Sequence, residues 1–169
     1  MLHKRPFNLK QYVDRTKSGP CFICEMIKGN PEYRHHIVFQ DDSNIAFLNK
    51  YPPLYGYMLV APIKHKVNVT SDFQLDQYLQ IQRLIYLVSE AIRQTVPTER
   101  MYILSLGSHQ GNSHVHWHIA PLPPNVPYGQ QQFESLMSEN GILDIPDTQM
   151  AELAARIRRE LNYESERNR

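Results

Sequence analysis

The chain has no apolar run near the roughly 18–20 residues that a bilayer-spanning helix needs, so a transmembrane helix is not expected. It has almost no charge imbalance. Against 18 Lys and Arg stand 17 Asp and Glu, a formal net charge of +1 over 169 residues. That balance argues against bulk electrostatic binding to nucleic acid or to an anionic membrane, so any phosphate must be recognised by a local site. Cysteine is scarce: Cys21 and Cys24 are the two present. The basic start, Met1-Leu2-His3-Lys4-Arg5-Pro6, is followed by no apolar segment of signal-peptide type, and a cytoplasmic location is expected. Internal repeats and low-complexity tracts are also missing.

What is present suits one folded domain with a real core: 41% hydrophobic and 21% charged residues, both ordinary for a globular protein. The 12 prolines fall mostly at segment edges, as punctuation. Residues 1–20 read as an irregular arm, and Phe22 to Lys28 as a short helix stopped by Gly29-Asn30-Pro31. Three strands follow, at 37–39, 45–48 and 57–61, the last ended by Pro62. Thr70-Ser71-Asp72 has the composition of a helix N-cap. Beyond it, Leu75, Leu79, Leu84, Leu87, Val88, Ala91 and Ile92 mark one apolar stripe of a long helix running to Thr95. Strands at 101–106 and 114–120, joined by a tight turn, predict antiparallel pairing. A short helix near 131–138 and a final one near 147–161 complete an α+β reading, with the long helix on one sheet face.

Three of the eight histidines lie within His114-Val115-His116-Trp117-His118. On a strand, residues two apart share a face, so the three imidazoles project together while Val115, Trp117 and Ile119 project to the other side. Each imidazole has two ring nitrogens in need of partners, which makes such a face costly as core filling. Two chemistries fit. One is a metal site drawing several ligands from one strand. The other is nucleophilic catalysis, since imidazole attacks phosphorus well and leaves again readily, splitting one hard displacement into two. Spacing alone does not separate them.

Cys21-Phe22-Ile23-Cys24 is a Cys-x-x-Cys pair, the spacing of a metal clamp or a redox pair; buried small side chains are the plainer reading. Zinc wants four ligands in a tetrahedron. His65 follows the third strand and His114 opens the histidine strand. If those strand ends lie together, Cys21, Cys24, His65 and His114 form a Cys₂His₂ set that ties the start of the chain to the sheet.

The run His114-Val115-His116-Trp117-His118-Ile119-Ala120 resembles the signature of the histidine triad (HIT) superfamily. Cys21-Phe22-Ile23-Cys24 is similar to the opening of many bacterial members. Phe47-Leu48-Asn49-Lys50-Tyr51-Pro52, followed by Gly56-Tyr57-Met58-Leu59-Val60-Ala61-Pro62, looks like the nucleoside-pocket strand pair of the branch that cleaves dinucleoside polyphosphates. The likeness covers residues 21–124, between an N-terminal arm (1–20) and a C-terminal helical extension (125–169) packed on the same domain.

The resemblance implies a five-stranded antiparallel sheet with one long helix and shorter flanking helices, assembled as a homodimer. It implies that His116 attacks the α-phosphate of a nucleotide conjugate, that His118 hydrogen-bonds the phosphate, and that Asn49 binds ribose hydroxyls. It also implies a structural zinc on Cys21, Cys24, His65 and His114. Two departures stand out. Gly56-Tyr57 replaces a Gly-His found in many members. The phosphate-contacting loop reads Gly107-Ser108-His109-Gln110-Gly111-Asn112-Ser113, in which Gln110, Asn112 and Ser113 carry suitable amide and hydroxyl donors. The expected function is a nucleotide hydrolase or nucleotidyltransferase. A zinc-dependent hydrolase with the histidines as catalytic ligands, and a non-catalytic nucleotide-binding protein, are the competing readings.

Overall fold

Alternating side chains that are apolar in both directions demand a sheet covered on two faces, and the computed structural model, which describes residues 3–168, has one. The strands are β2 (Ile37–Gln40), β3 (Asn44–Leu48), β4 (Met58–Pro62), β5 (Arg100–Ser105) and β6 (Trp117–Leu122). They pair antiparallel throughout in the order β2-β3-β4-β6-β5. On one face Ala46, Leu48, Met58, Val60, Trp117 and Ile119 pack beneath two long helices, α3 (Leu75–Thr95) and α5 (Asp147–Arg167). On the other, Ile45, Phe47, Tyr57, Leu59, Ala61 and Ala120 pack against Ile23 and Met26 of the short helix α2 (Phe22–Ile27). The α+β class, the five-stranded sheet and the long helix agree with the sequence reading.

Several local expectations are corrected. The N-terminal stretch is not irregular. Lys4–Arg5 (β1) pairs with Ile142–Leu143 (β7), and Leu9–Ser18 forms helix α1, capped by Asn8, whose side chain accepts from Gln11 N–H. No residue of α1 is buried, and its apolar stripe, Leu9, Tyr12 and Val13, is short and only half-buried, so the sequence reading passed over it. Helix α3 is capped not by Thr70-Ser71-Asp72 but by Gln74, in a reciprocal pair with Gln77. Asp72 instead accepts from the N–H groups of Val67 and Asn68, at 2.8 and 2.9 Å. Leu75 and Leu79 stand outside the core, 71% and 55% exposed, and the buried stripe begins at Ile81. The short helix near 131–138 is a single turn, α4 (Phe133–Leu136), and the final helix runs on to Arg167.

The β5–β6 connection matters most for function. It is not a tight turn but an excursion over residues 106–116, and the ladder starts only at Trp117. Beside it lies Pro62, the last residue of β4. It has no N–H to donate, and its carbonyl accepts from the ring of His114 (2.9 Å). The histidine alternation survives without the ladder. Val115 N–H donates to the Lys66 carbonyl, and Ser105 Oγ donates to the His116 carbonyl, both at 2.8 Å. Val115 and Trp117 are buried on the helix side. Pro121, although proline falls mostly at segment edges in this chain, lies within β6; it pairs with Met101 of β5, while the pairing of β6 with β4 ends at Ile119.

Candidate active site and metal cluster

On the α2 side of the sheet lies a cavity of about 640 Å³, lined among others by Asn49, Gln110, Asn112, Ser113, His116 and His118. All six residues expected to act on a nucleotide thus share one space. His116 is 3% exposed. Its Nδ1 lies 2.7 Å from the His114 carbonyl, which can only accept, so Nδ1 carries the proton and Nε2 holds the lone pair. Burial lowers the pKa of this imidazole and keeps it neutral. His118 lies beside it, its ring tilted 55° and the centroids 4.8 Å apart. Burial first, then His116, depresses the His118 pKa to about 3. Its Nδ1 lies 3.0 Å from Tyr57 Oη, and its Nε2 is buried with no partner among the described residues.

The loop before the triad is shaped by Gly107, at φ +128°. A Cβ there would lie 2.5 Å from the Asn112 carbonyl oxygen and 3.8 Å from His116 Cε1. Asn112 itself has φ +54°, and its Nδ2 donates to Tyr12 Oη at 2.9 Å. Asn49 Oδ1 accepts from Tyr51 N–H at 2.9 Å, which fixes its amide at the end of β3.

Beside the cavity the donor atoms of Cys21, Cys24, His65 and His114 all lie within 4.8 Å of one another. Cys21 Sγ is 3.5 Å from His114 Nδ1; Cys24 Sγ is 3.3 Å from His65 Nδ1 and 3.6 Å from His114 Nδ1. Two ligands on one tetrahedral zinc, at usual Zn–S and Zn–N lengths, sit about 3.6 Å apart. The tautomer fits too. His114 Nε2–H is spent on the Pro62 carbonyl, so Nδ1 turns a lone pair toward the sulfurs, the outer-shell arrangement of a metal-bound histidine. Burial depresses the His114 pKa to about 4, and burial followed by the Cys21 sulfur pushes the Cys24 thiol up to about 11. A cation among the four donors would reverse the latter balance. These four residues could therefore hold a metal ion.

A family model, the HIT domain, matches residues 30–124, more than half of the chain. The chain belongs to the HIT family. It is 28% identical over 104 residues to an uncharacterized HIT-like protein of Saccharolobus solfataricus, covering 60% of this chain and 73% of that one. It is 25% identical over 112 residues to another from Mycoplasma genitalium (64% and 77% covered). Among solved structures, a hypothetical histidine triad nucleotide-binding protein of Sulfolobus tokodaii superimposes with a TM-score of 0.67 at 25% identity, over 85% of this chain and 93% of that one. A zinc-bound histidine triad family protein of Mycobacterium smegmatis does so at 0.64 and 19% identity (85% and 94% covered). Cys21, Cys24 and helix α1 lie outside the matched family segment.

Sequence reasoning missed part of this HIT site. His35, given no role, lines the cavity, and its Nδ1–H donates to the Tyr33 carbonyl at 2.7 Å. Its ring meets those of Phe22 and Phe47 at 5.8 and 5.1 Å, and Phe22 in turn lies edge-on to His116 at 6.0 Å. Tyr12, Arg15 and Lys17 of α1 also line the cavity. No local motif marks these residues; only the fold brings them there. Of the tyrosines around the start of β4, Tyr51 lines the cavity, whereas Tyr57 is buried and Tyr55 packs on the helix-side core.

Proposed function

We propose that the protein is a nucleotide hydrolase or nucleotidyltransferase that forms a nucleotidyl–His116 intermediate at the α-phosphate of a nucleotide conjugate. The observation that carries this reading is the 2.7 Å contact of His116 Nδ1 with the His114 carbonyl, which leaves the Nε2 lone pair of a cavity-lining, neutral imidazole free to attack. In the first step the Nε2–P bond forms and the bond from phosphorus to the leaving group breaks, with its electron pair going to the leaving group. In the second step water attacks phosphorus, the P–N bond breaks, and the water proton passes to solvent as nucleotide and neutral His116 are released. His118 Nε2–H faces the reacting phosphate and donates to an oxygen on which charge builds. Gln110, Asn112 and Ser113 supply further donors, and Asn49 holds the ribose. The Tokodaii neighbour, named as nucleotide-binding, supports the ligand class.

Cys21, Cys24, His65 and His114 would hold a structural zinc, as their spacing and the His114 tautomer suit it. Bound there, the ion supplies a cross-link between α2 and the strand ends rather than an open coordination position, because all four positions are protein donors. That weighs against the zinc-hydrolase reading. A second copy of the chain is the expected partner at the open sheet edge, β5, where Ile103 is 48% exposed. The cytoplasm is the expected location, since its reducing conditions keep both thiols available.

Rapid-quench intact-protein mass spectrometry tests the reaction. With a diadenosine polyphosphate or an adenosine phosphoramidate, the wild-type chain should gain the mass of one AMP transiently and His116→Ala should not. Product without an adduct would favour metal-assisted hydrolysis, and neither product nor adduct would favour a binding protein.

A further inference from the structure

Helix α1 is held at the rim of the cavity rather than by the core. None of its residues is buried, yet it contacts two separate loops that line the cavity. Toward the loop before the triad, Tyr12 Oη accepts from Asn112 Nδ2, and a Cβ added at Gly111 would lie 3.5 Å from Thr16 Oγ1. Toward the loop after β3, Arg15 Nη2 donates to Tyr51 Oη at 3.1 Å. The rings of Phe7, Tyr12 and Tyr51 close the gap at centroid distances of 5.3 to 6.0 Å. The helix is thus a strap across the cavity mouth.

The strap brings positive charge. Arg15, Lys17 and Lys50 line the cavity against a single carboxylate, Glu32, although the chain as a whole is almost neutral. Arg15 spends one Nη on Tyr51 and lies 5.8 and 5.6 Å from the Tyr12 and Tyr51 ring centroids, so its planar fork is oriented with N–H groups to spare. Lys17 makes no side-chain hydrogen bond or ion pair with any described residue. The dipole of α1 accounts for cations in its last turn, but not for their lining this cavity.

We propose that α1 forms a leaving-group subsite in which Arg15 and Lys17 bind the phosphates beyond the one that His116 attacks. This rests on the reaction proposed above. When the P–O bond to a phosphate chain breaks, the departing oxygen takes the electron pair and the chain gains negative charge, which the two cations stabilise. An amine leaving from a phosphoramidate takes a proton from solvent as the P–N bond breaks, departs neutral and carries no such anion. The strap therefore favours conjugates whose leaving group is itself a phosphate chain.

The test compares the full-length protein with Arg15→Gln/Lys17→Gln, which keeps good helix formers at both positions. The readout is the ratio of kcat/KM for diadenosine tetraphosphate to that for adenosine phosphoramidate, two substrates that share the AMP half. Loss of a charge-assisted contact is worth about tenfold or more. The ratio should fall at least that far in the double variant. An unchanged ratio, including equal losses on both substrates, overturns the subsite while leaving the reaction standing. Calorimetric binding of inorganic tripolyphosphate reads the subsite without turnover. Weakening by about tenfold or more supports the proposal; equal binding by both proteins, or none by wild type, overturns it. Should wild type turn over neither nucleotide, the proposed reaction fails and the tripolyphosphate result alone decides the subsite.

Discussion

Tyr57 Oη lies 3.0 Å from His118 Nδ1, with the two rings edge to face at 5.8 Å. Burial holds the phenol pKa well above its ordinary value, so the hydroxyl keeps its proton and can donate it to Nδ1. That leaves the His118 proton on Nε2, the atom with no partner among the described residues. A tyrosine here thus selects the tautomer that keeps Nε2–H available as a donor. Tyr57→Phe should lower kcat by about tenfold, the scale of a lost positioning contact in acid–base chemistry, with a much smaller change in KM. It should also cost about 1–3 kcal/mol of stability for the unsatisfied nitrogen. Tyr57→His, which restores a polar partner, should recover part of kcat. A Tyr57→Phe protein with wild-type kcat would mean that His118 is oriented by other means.

The Cys₂His₂ set makes an opposite pattern. With zinc bound, Cys21→Ala, Cys24→Ala and His65→Ala should each lower the melting temperature and the zinc content while leaving kcat per folded molecule close to wild type. Chelation of the wild type should reproduce the shift and add nothing in the variants. Trp117, the sole tryptophan, packs on Phe73 and Tyr78 and so reports core unfolding by fluorescence. A Cys24→Ala protein that melted with the wild type, with or without chelator, would rule out a structural metal.

What could be read from the sequence, and what could not, divides by the range of the signal. The triad alternation is a period of two, so Val115 and Trp117 were placed against the helices correctly even though the hydrogen-bonded ladder begins later than expected. The four sulfur and imidazole donors declared themselves by chemistry, although residues 21 and 114 are far apart in the chain. Helix α1 gave a weaker sign. Leu9, Tyr12 and Val13 have helical spacing, but the helix buries nothing and its contacts with Asn112, Gly111 and Tyr51 are long-range, so no local pattern could place it at the cavity. The wide 106–116 excursion was mistaken for a tight turn because its Gly, Ser and Asn content is that of turns in general. His35 needed Phe22 and Phe47 around it before it belonged to the site.

Gly107 is the backbone counterpart of the tyrosine. At φ +128° an L side chain is strained wherever it points, and here its Cβ would meet the Asn112 carbonyl at 2.5 Å. Gly107→Ala should therefore shift the loop that carries Gln110, Asn112 and Ser113. The strain is worth about 1–3 kcal/mol, and an exposed loop relieves it by moving rather than by unfolding the sheet. The expected outcome is a fall in kcat/KM of about tenfold or more with a melting temperature close to wild type. A large loss of melting temperature with unchanged kcat/KM per folded molecule would show that the loop supports the fold and not the site.

Acid should weaken the fold through His35, and the sign follows from its surroundings. Burial lowers its pKa below the ordinary histidine value of about 6.5, outweighing the Tyr33 carbonyl, which pulls the other way. The unfolded chain therefore binds a proton at this position before the folded chain does. Stability from His35 is intact above about pH 6.5 and declines as pH falls from there toward the lowered folded-state value. His35→Gln cannot take up that proton, so its melting temperature should drop less than that of wild type between pH 7 and pH 5.5. Comparing the two drops cancels contributions common to both proteins, including any metal released by acid. Equal drops would mean that His35 titrates alike in both states, and that its ring is not held neutral by the aromatic slot of Phe22 and Phe47.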